Sequence, residues 1–309
     1  DRITEEITIE RDTLYKVDLN AVQKKREEER SDNLKLVPYI QNKKVGFIDE
    51  ETMQIVISCK YDWAKSFSEG LACVELNRKR GFIDKSGREV IPRKYNYAKS
   101  FSEGLALVYI KGQWGFIDKS GREVIPCKYD DAESFSDGLA RVKFKGQWGF
   151  IDKTGREVIP CKYDNAYSFS EGLVCVKLNG KYSFIDRIGR EIVSCKYEFA
   201  SSFREGLAHV ELNGKWGFID KTGREVIPCK YDDAHSFSEG LACVKLNGKY
   251  GSIDKTGREV IPCKYDWAYD FVDGLACVRF NGKWGFIDKS GTEVIPCKYD
   301  DWASSFSEG

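Results

Sequence analysis

From Leu36 to Gly309 the chain repeats one pattern eight times, in six repeats of 34 residues and two of 35. A period of this size overrides what length alone suggests, one large domain or two medium ones, and calls for an array built by stacking one supersecondary unit. The repeats run 36–70, 71–104, 105–138, 139–172, 173–206, 207–240, 241–274 and 275–309. Repeat 207–240 shows the pattern: LAHVELNGKWGFIDKTGREVIPCKYDDAHSFSEG.

Leu207–Leu212 alternates in the strand manner, Asn213-Gly214 is a two-residue hairpin signal, and Lys215–Asp220 is rich in aromatic and branched residues. These segments are expected to pair as antiparallel strands. A turn at Thr222-Gly223 leads to Arg224-Glu225-Val226-Ile227. Pro228 has no N–H to donate, which confines this third strand to a sheet edge or to a short run before the proline. Asp232–Gly240 reads as a loop back to the next repeat. The expected fold is all-β, an array of eight three-stranded antiparallel units wound as an open, twisted β-solenoid. A closed eight-bladed propeller is the alternative. Three strands in 34 residues fall short of the common four-stranded blade of roughly 40–45 residues, whereas an integral number of repeats would suit a ring.

Comparing the copies separates framework from variable positions. The glycine at 217 recurs as Gly46, Gly81, Gly115, Gly149, Gly251 and Gly285, with Ser183 in the fifth repeat. Without a side chain it permits close approach of another backbone. Tyr231, Ala234 and Phe237 recur, for example as Tyr129, Ala132 and Phe135, and are expected to plug the space between repeats. Trp114, Trp148, Trp216 and Trp284, inside the repeated motif, are read as core.

The run Gly-Lys-Trp-Gly-Phe-Ile-Asp-Lys-Thr-Gly-Arg-Glu-Val-Ile-Pro at 214–228, with Tyr231, Ala234, Phe237 and Glu239-Gly240-Leu241 after it, resembles the bacterial WG (or KWG) repeat family. The resemblance covers Leu36–Gly309 in eight registers. It implies a β-rich module that mediates interactions, and it brings no catalytic residues. Departures are Val45 and Arg80 in place of Trp, Tyr182-Ser183, Tyr250-Gly251, Ser252 in place of Phe, and one inserted residue near Asp301-Trp302. Residues 1–35 lie outside it and read as an N-terminal linker or cap. Ile7 and Ile9 suggest a short strand, and Asn20–Arg30 suggests a polar helix with Asn20 as N-cap. The start at Asp1 and the stop in phase with the repeat suggest a fragment of a longer bacterial polypeptide.

Lys+Arg and Asp+Glu both number 49, and the balance changes sign between repeats. Repeat 105–138 carries six acids and four bases, whereas 139–172 carries four acids and six bases. No continuous basic stripe can form, so nucleic acid is not an expected partner. No apolar run approaches the roughly 18–20 residues of a membrane span, so no membrane insertion is expected.

Eleven cysteines fall in two columns. Arg93 interrupts the first, while Leu107, Arg141 and His209 interrupt the second. A disulfide framework would need both filled, so free thiols and a cytoplasmic, reducing setting are expected. With no Cys-x-x-Cys pair and only His209 and His235 to help, no metal site is expected. The Phe-Ile-Asp aspartates, such as Asp220, are read as turn residues accepting backbone N–H bonds. No cofactor or catalytic site is expected, because identical groups one repeat apart do not make a convergent centre.

Binding is assigned to the variable columns. Trp63, Tyr97, Trp267 and Trp302 precede the loop alanine, in a column that elsewhere holds Asp131, Asn165, Phe199 and Asp233; Tyr167, His235 and Tyr269 follow it. On the first strand Tyr109, Glu211 and Arg279 share a column, and His209 lies two residues before Glu211, on the same face. The leading expectation is a non-catalytic scaffold for protein–protein interaction or assembly. The rival is a glycan or cell-wall module whose aromatics stack on polysaccharide.

Overall fold

The computed structural model describes residues 4–9, 13–18 and 34–300. The chain forms two compact bodies, Asp1–Ala140 with Lys153–Gly155, and Arg141–Asp152 with Arg156–Gly309. Each body is built from the same local unit, and the described residues contain strands and no helix. The all-β repeat array expected from the sequence is therefore the fold found.

One sheet of the second body illustrates the unit. Leu207–Leu212 pairs antiparallel with Lys215–Asp220, placing His209 opposite Phe218, Val210 opposite Gly217 and Glu211 opposite Trp216. The turn between them has φ of 53° at Asn213 and 69° at Gly214, the left-handed pair that matches the twist of a two-residue hairpin. Glu225–Tyr231 forms the third long strand at the sheet edge. Its register jumps from Phe218↔Ile227 to Trp216↔Tyr231, so residues around Pro228 bulge out of the ladder. The strand thus continues past the proline, and Gly217 explains how it passes. A Cβ there would lie 2.6 Å from both the Ile227 carbonyl oxygen and the Cys229 nitrogen.

The sheet holds a fourth strand that the sequence reading placed in a loop. Phe199–Ala200, from the preceding repeat, pairs with the new repeat's first long strand, Phe199 opposite Glu211 and Ala200 opposite Val210. Asp233–Ala234 does the same for the sheet that follows. The rest of that loop is a second tight hairpin, in which Ser238 bridges Leu241 around Glu239 and Gly240, with φ of 53° and 85°. Within the first body, Trp63–Ala64 and Tyr97–Ala98 are the equivalent short strands. Among the described residues the sheet Leu36–Gln41, Lys44–Asp49, Ile55–Tyr61 has three strands.

Because each loop crosses into the next sheet, the core lies between consecutive sheets. Phe218, Ile227, Tyr231, Ala234 and Phe237 of one repeat pack with Ala242, Val244 and Ile253 of the next. Phe218 and Phe237 meet with ring centres 5.0 Å apart. Polar ties run the same way. Ser238 donates its hydroxyl to the Phe271 carbonyl at 2.9 Å, and Glu205 accepts from the Gly240 N–H at 3.1 Å and from Lys255 at 3.0 Å.

At the N-terminus Thr4–Ile9 pairs with Thr13–Asp18, in agreement with a strand around Ile7 and Ile9. The polar helix expected over 20–30 lies outside the described residues, as does Trp302.

Candidate binding ribbon

The bulged third strand and the borrowed short strand place four positions in one row across each sheet. In the first body Tyr97, Tyr109, Trp114 and Tyr129 are successive cross-strand partners. In the second, Phe199, Glu211, Trp216 and Tyr231 form one such row, and Trp267, Arg279, Trp284 and Tyr299 another. Side chains in cross-strand register are close enough to interact directly.

Rows are linked where an aromatic residue opening a short strand reaches the sheet before it, as Tyr97, Phe199 and Trp267 do. In the first body the Arg80 guanidinium lies between Trp63, 4.2 Å from its ring centre, and Tyr97, 4.1 Å away. Arg80 also pairs with Glu75 at 2.8 Å and donates to the Ala98 carbonyl at 3.2 Å. Tyr97 and Tyr109 then contact Trp114, with ring centres 5.6 and 4.8 Å apart. In the second body Phe199 bridges Tyr182 at 5.5 Å and Trp216 at 5.2 Å, and Trp267 meets Tyr250 at 5.1 Å. Tyr269 contacts both Trp267 and Trp284. Arg279 lies 5.8 Å over Trp284, and Tyr167 lies 6.4 Å from Tyr182. Each body thus carries a ribbon of rings and guanidinium groups.

Of the repeated tryptophans, Trp148 is buried in the core as the sequence suggests, whereas Trp114, Trp216 and Trp284 depart from that reading. Trp114, Trp216 and Trp284 are half-buried, and Trp148, 9% exposed, is covered on one face by Arg141 at 4.4 Å. They serve the ribbon as much as the core. Their recurrence made them look like framework, and the available clue was that Arg80 and Val45 replace them in other copies.

His209 is the second departure. Its column does not form a solvated face: Cys73, Leu107, Cys175 and Cys243 are buried there, and His209 sits among Phe199, Trp216 and Phe218. Burial holds its pKa down to about 4, with His235 adding to the effect, so the ring is neutral at neutral pH. Ser236 Oγ is 3.2 Å from its Nδ1. His235, in the ribbon's outer column, has its pKa raised by its hydrogen bond to Asp270 at 2.9 Å, against the effect of burial. The ribbon of the second body is open at Trp267 and Tyr269, each 40% exposed.

The aspartates are committed to turns. Asp220 Oδ1 accepts from the Thr222 N–H and hydroxyl and from the Arg224 N–H, while Oδ2 accepts from Arg224 Nε at 3.0 Å. Asp84, Asp118, Asp254 and Asp288 accept the equivalent backbone bonds. The cysteines are free thiols. Cys73, Cys175 and Cys243 donate to the alanine carbonyls of the borrowed strands, Ala98, Ala200 and Ala268, at 3.6, 3.4 and 3.6 Å. Burial pushes the Cys73 and Cys175 thiols up to about 12, far from the thiolate that chemistry would require.

Comparison with solved structures gives only distant likenesses. A crystal structure of the eukaryotic initiation factor matches with a TM-score of 0.45 at 12% identity, over 86% of this chain and 86% of that one. Kluyveromyces lactis Hsv2 matches with a TM-score of 0.36 at 7% identity, over 60% of this chain and 71% of that one. No curated protein sequence matches the chain. The model of the WG containing repeat matches residues 46–79, 81–114, 114–148, 148–182, 182–216, 216–250, 250–284 and 284–309. With these eight matches spanning most of its length, the chain belongs to the family of WG containing repeat proteins.

Proposed function

We propose that this array is a non-catalytic scaffold that binds a protein partner through its ribbon of aromatic and cationic side chains. The observation that carries the reading is the convergence of the variable columns. Tyr97, Tyr109, Tyr167, Trp267, Tyr269 and Arg279 all contact the repeated WG position, while the surrounding framework stays nearly constant. Each repeat therefore offers a different surface from the same backbone, which suits recognition of an irregular protein surface. Half-buried tryptophan, tyrosine and arginine are also the residue types that dominate protein interfaces.

The glycan reading needs flat ring faces open to a sugar. Arg80 covers a face of Trp63, and Tyr250 and Tyr269 pack on Trp267, which favours the protein reading. The free thiols fit a reducing, cytoplasmic setting.

The test is site-specific. A photo-crosslinking residue placed at Tyr269 in the native host should form a discrete protein adduct that is lost in a Trp267→Ala, Trp284→Ala background. Retention on peptidoglycan or polysaccharide, abolished by Trp63→Ala with Trp267→Ala, would replace this reading with glycan binding.

A further inference from the structure

One column of the ribbon in the second body carries charge that the fold leaves unanswered. Its first long strands hold Lys143, Lys177, Glu211, Lys245 and Arg279 at equivalent places. Lys177, Lys245 and Arg279 stand directly across from Tyr182, Tyr250 and Trp284, as Glu211 does from Trp216. All four cations lie over rings. The Nζ atoms of Lys177 and Lys245 are each 5.1 Å from the ring centres of those tyrosines, Lys143 is 5.7 Å from Trp148, and Arg279 is 5.8 Å from Trp284.

None of the four forms an ion pair among the described residues. The lysine that opens the next strand behaves differently in the same repeats. Lys181 pairs with Glu198 at 3.1 Å, Lys249 with Asp266 at 2.6 Å, and Lys283 with Asp300. The fold thus supplies a carboxylate to one basic column and withholds it from the other. On the opposite side of the strand, Lys177 faces Asn165 and Arg279 faces Trp267. Asp233 faces Lys245, but its oxygens accept from the Tyr250 hydroxyl at 3.2 Å and the Ala234 N–H at 2.9 Å.

Placement over a ring decides what such a cation can do. A π face attracts an ammonium or guanidinium without consuming its N–H donors, so the group is held in position with hydrogen-bonding capacity left over. A carboxylate that meets it orders less side-chain freedom than it would at an untethered lysine.

We propose that this column receives an acidic segment of the partner protein, whose carboxylates meet Lys143, Lys177, Lys245 and Arg279 and whose one basic side chain meets Glu211. The inference rests on the ribbon reading above. Glu211 favours a protein over other polyanions. A nucleic acid or sulfated glycan repeats its negative charge and would set like against like at Glu211, whereas a polypeptide can change its side chain there.

Two measurements test this: anisotropy of labelled poly-L-glutamate with the purified full chain, and the adduct formed by a photo-crosslinking residue at Tyr269 in the native host. Lys177→Glu with Lys245→Glu should weaken poly-L-glutamate binding about tenfold in low salt, and Glu211→Lys should strengthen it about threefold. Lys181→Glu with Lys249→Glu, the same change of net charge at the paired lysines, should shift it by less than about twofold. The gain at Glu211→Lys is a result that a misfolded variant does not give. In the host, Lys177→Glu with Lys245→Glu should reduce the adduct about tenfold, and Glu211→Lys should reduce it as well, opposite to its effect on poly-L-glutamate. An adduct lost in the Trp267→Ala, Trp284→Ala background but indifferent to these charge changes would overturn the acidic partner and leave the ribbon reading standing. Absence of any protein adduct would remove both. Poly-L-glutamate binding that responds equally at the two lysine columns would overturn the inference, as would tighter, column-dependent binding of heparin or single-stranded DNA.

Discussion

Arg80 stacks on Tyr97 of the next sheet, replacing with a charge the ring contact that Tyr182 makes to Phe199 and Tyr250 makes to Trp267. The array thus keeps the link between sheets while changing its chemistry. Arg80 is 14% exposed and holds Glu75, so Arg80→Ala should destabilise the fold by about 2 kcal/mol. Lysine lacks the planar group that stacks on both rings, and Arg80→Lys should recover only about half of that loss. Urea unfolding measures both, and an Arg80→Ala midpoint equal to that of the unaltered chain would refute the stacking argument.

Phe237 is 1% exposed and fills the space between two repeats. Phe237→Ala should cost roughly 3–5 kcal/mol through the cavity it leaves. Val272, 54% exposed in the next loop, serves as the comparison, and Val272→Ala should change stability by less than about 0.5 kcal/mol. Equal effects at the two positions would mean that the loop phenylalanine is not a core residue.

The turn aspartates set an acid limit. Bonds from the Thr222 hydroxyl, followed by the backbone N–H groups and Arg224, hold the Asp220 carboxyl below the usual range, and Asp118, Asp254 and Asp288 are lowered with the neighbouring hydroxyl first among the causes. A carboxylate with a depressed folded pKa contributes stability above its unfolded pKa of about 3.9 and loses it as pH falls through the folded value. Thermal midpoints should therefore drop steeply below about pH 4. Asp220→Asn should lower the midpoint at neutral pH and narrow its difference from the unaltered chain in acid.

The two histidines should titrate in opposite directions. His209, held at about 4, opposes protonation, so its contribution to stability is present above its unfolded pKa of about 6.5 and falls as pH drops toward the folded value. His235, raised by Asp270, stabilises below its unfolded pKa and loses that contribution as pH rises through its folded value. Ring-proton NMR should resolve one histidine titrating below and one above about 6.5. Asp270→Asn should move only His235 substantially, and two coincident titrations would contradict both assignments.

The strands were legible in the sequence because their signals are local. Asn213-Gly214 specifies a left-handed turn, and Leu207–Leu212 alternates. Pro228 could be assigned to an edge from its missing donor, although the bulge that carries the strand past it needed Gly217 and Cys229 to be seen together. The borrowed strand was not legible: Asp233-Ala234 is too short to alternate, and its partner, Val244, belongs to the next repeat. A signal did exist in Asp137-Gly138 and Asp273-Gly274, which mark the second hairpin by the same chemistry as Asn-Gly. For the ribbon, variability correctly singled out the columns of Trp63, Tyr97 and Trp267 as accessible at least in part. Recurrence misplaced Trp216, because a side chain present in most copies can be half-buried at a surface row. Alternation misplaced His209, since a residue on the same strand face as Glu211 can still be covered where consecutive sheets meet.

The borrowed strand also makes the number of repeats an adjustable quantity. Each interior repeat gives two residues to its successor and takes two from its predecessor, so removing 34 residues from a starting point in the interior rejoins a donor to an equivalent acceptor. No interface would need redesign. Gain or loss of whole repeats by recombination would lengthen or shorten the ribbon in steps of one row and keep the backbone pairing of donor and acceptor, while the side-chain link at the new junction would be set by the two repeats it joins, as Arg80–Tyr97 and Tyr182–Phe199 already differ.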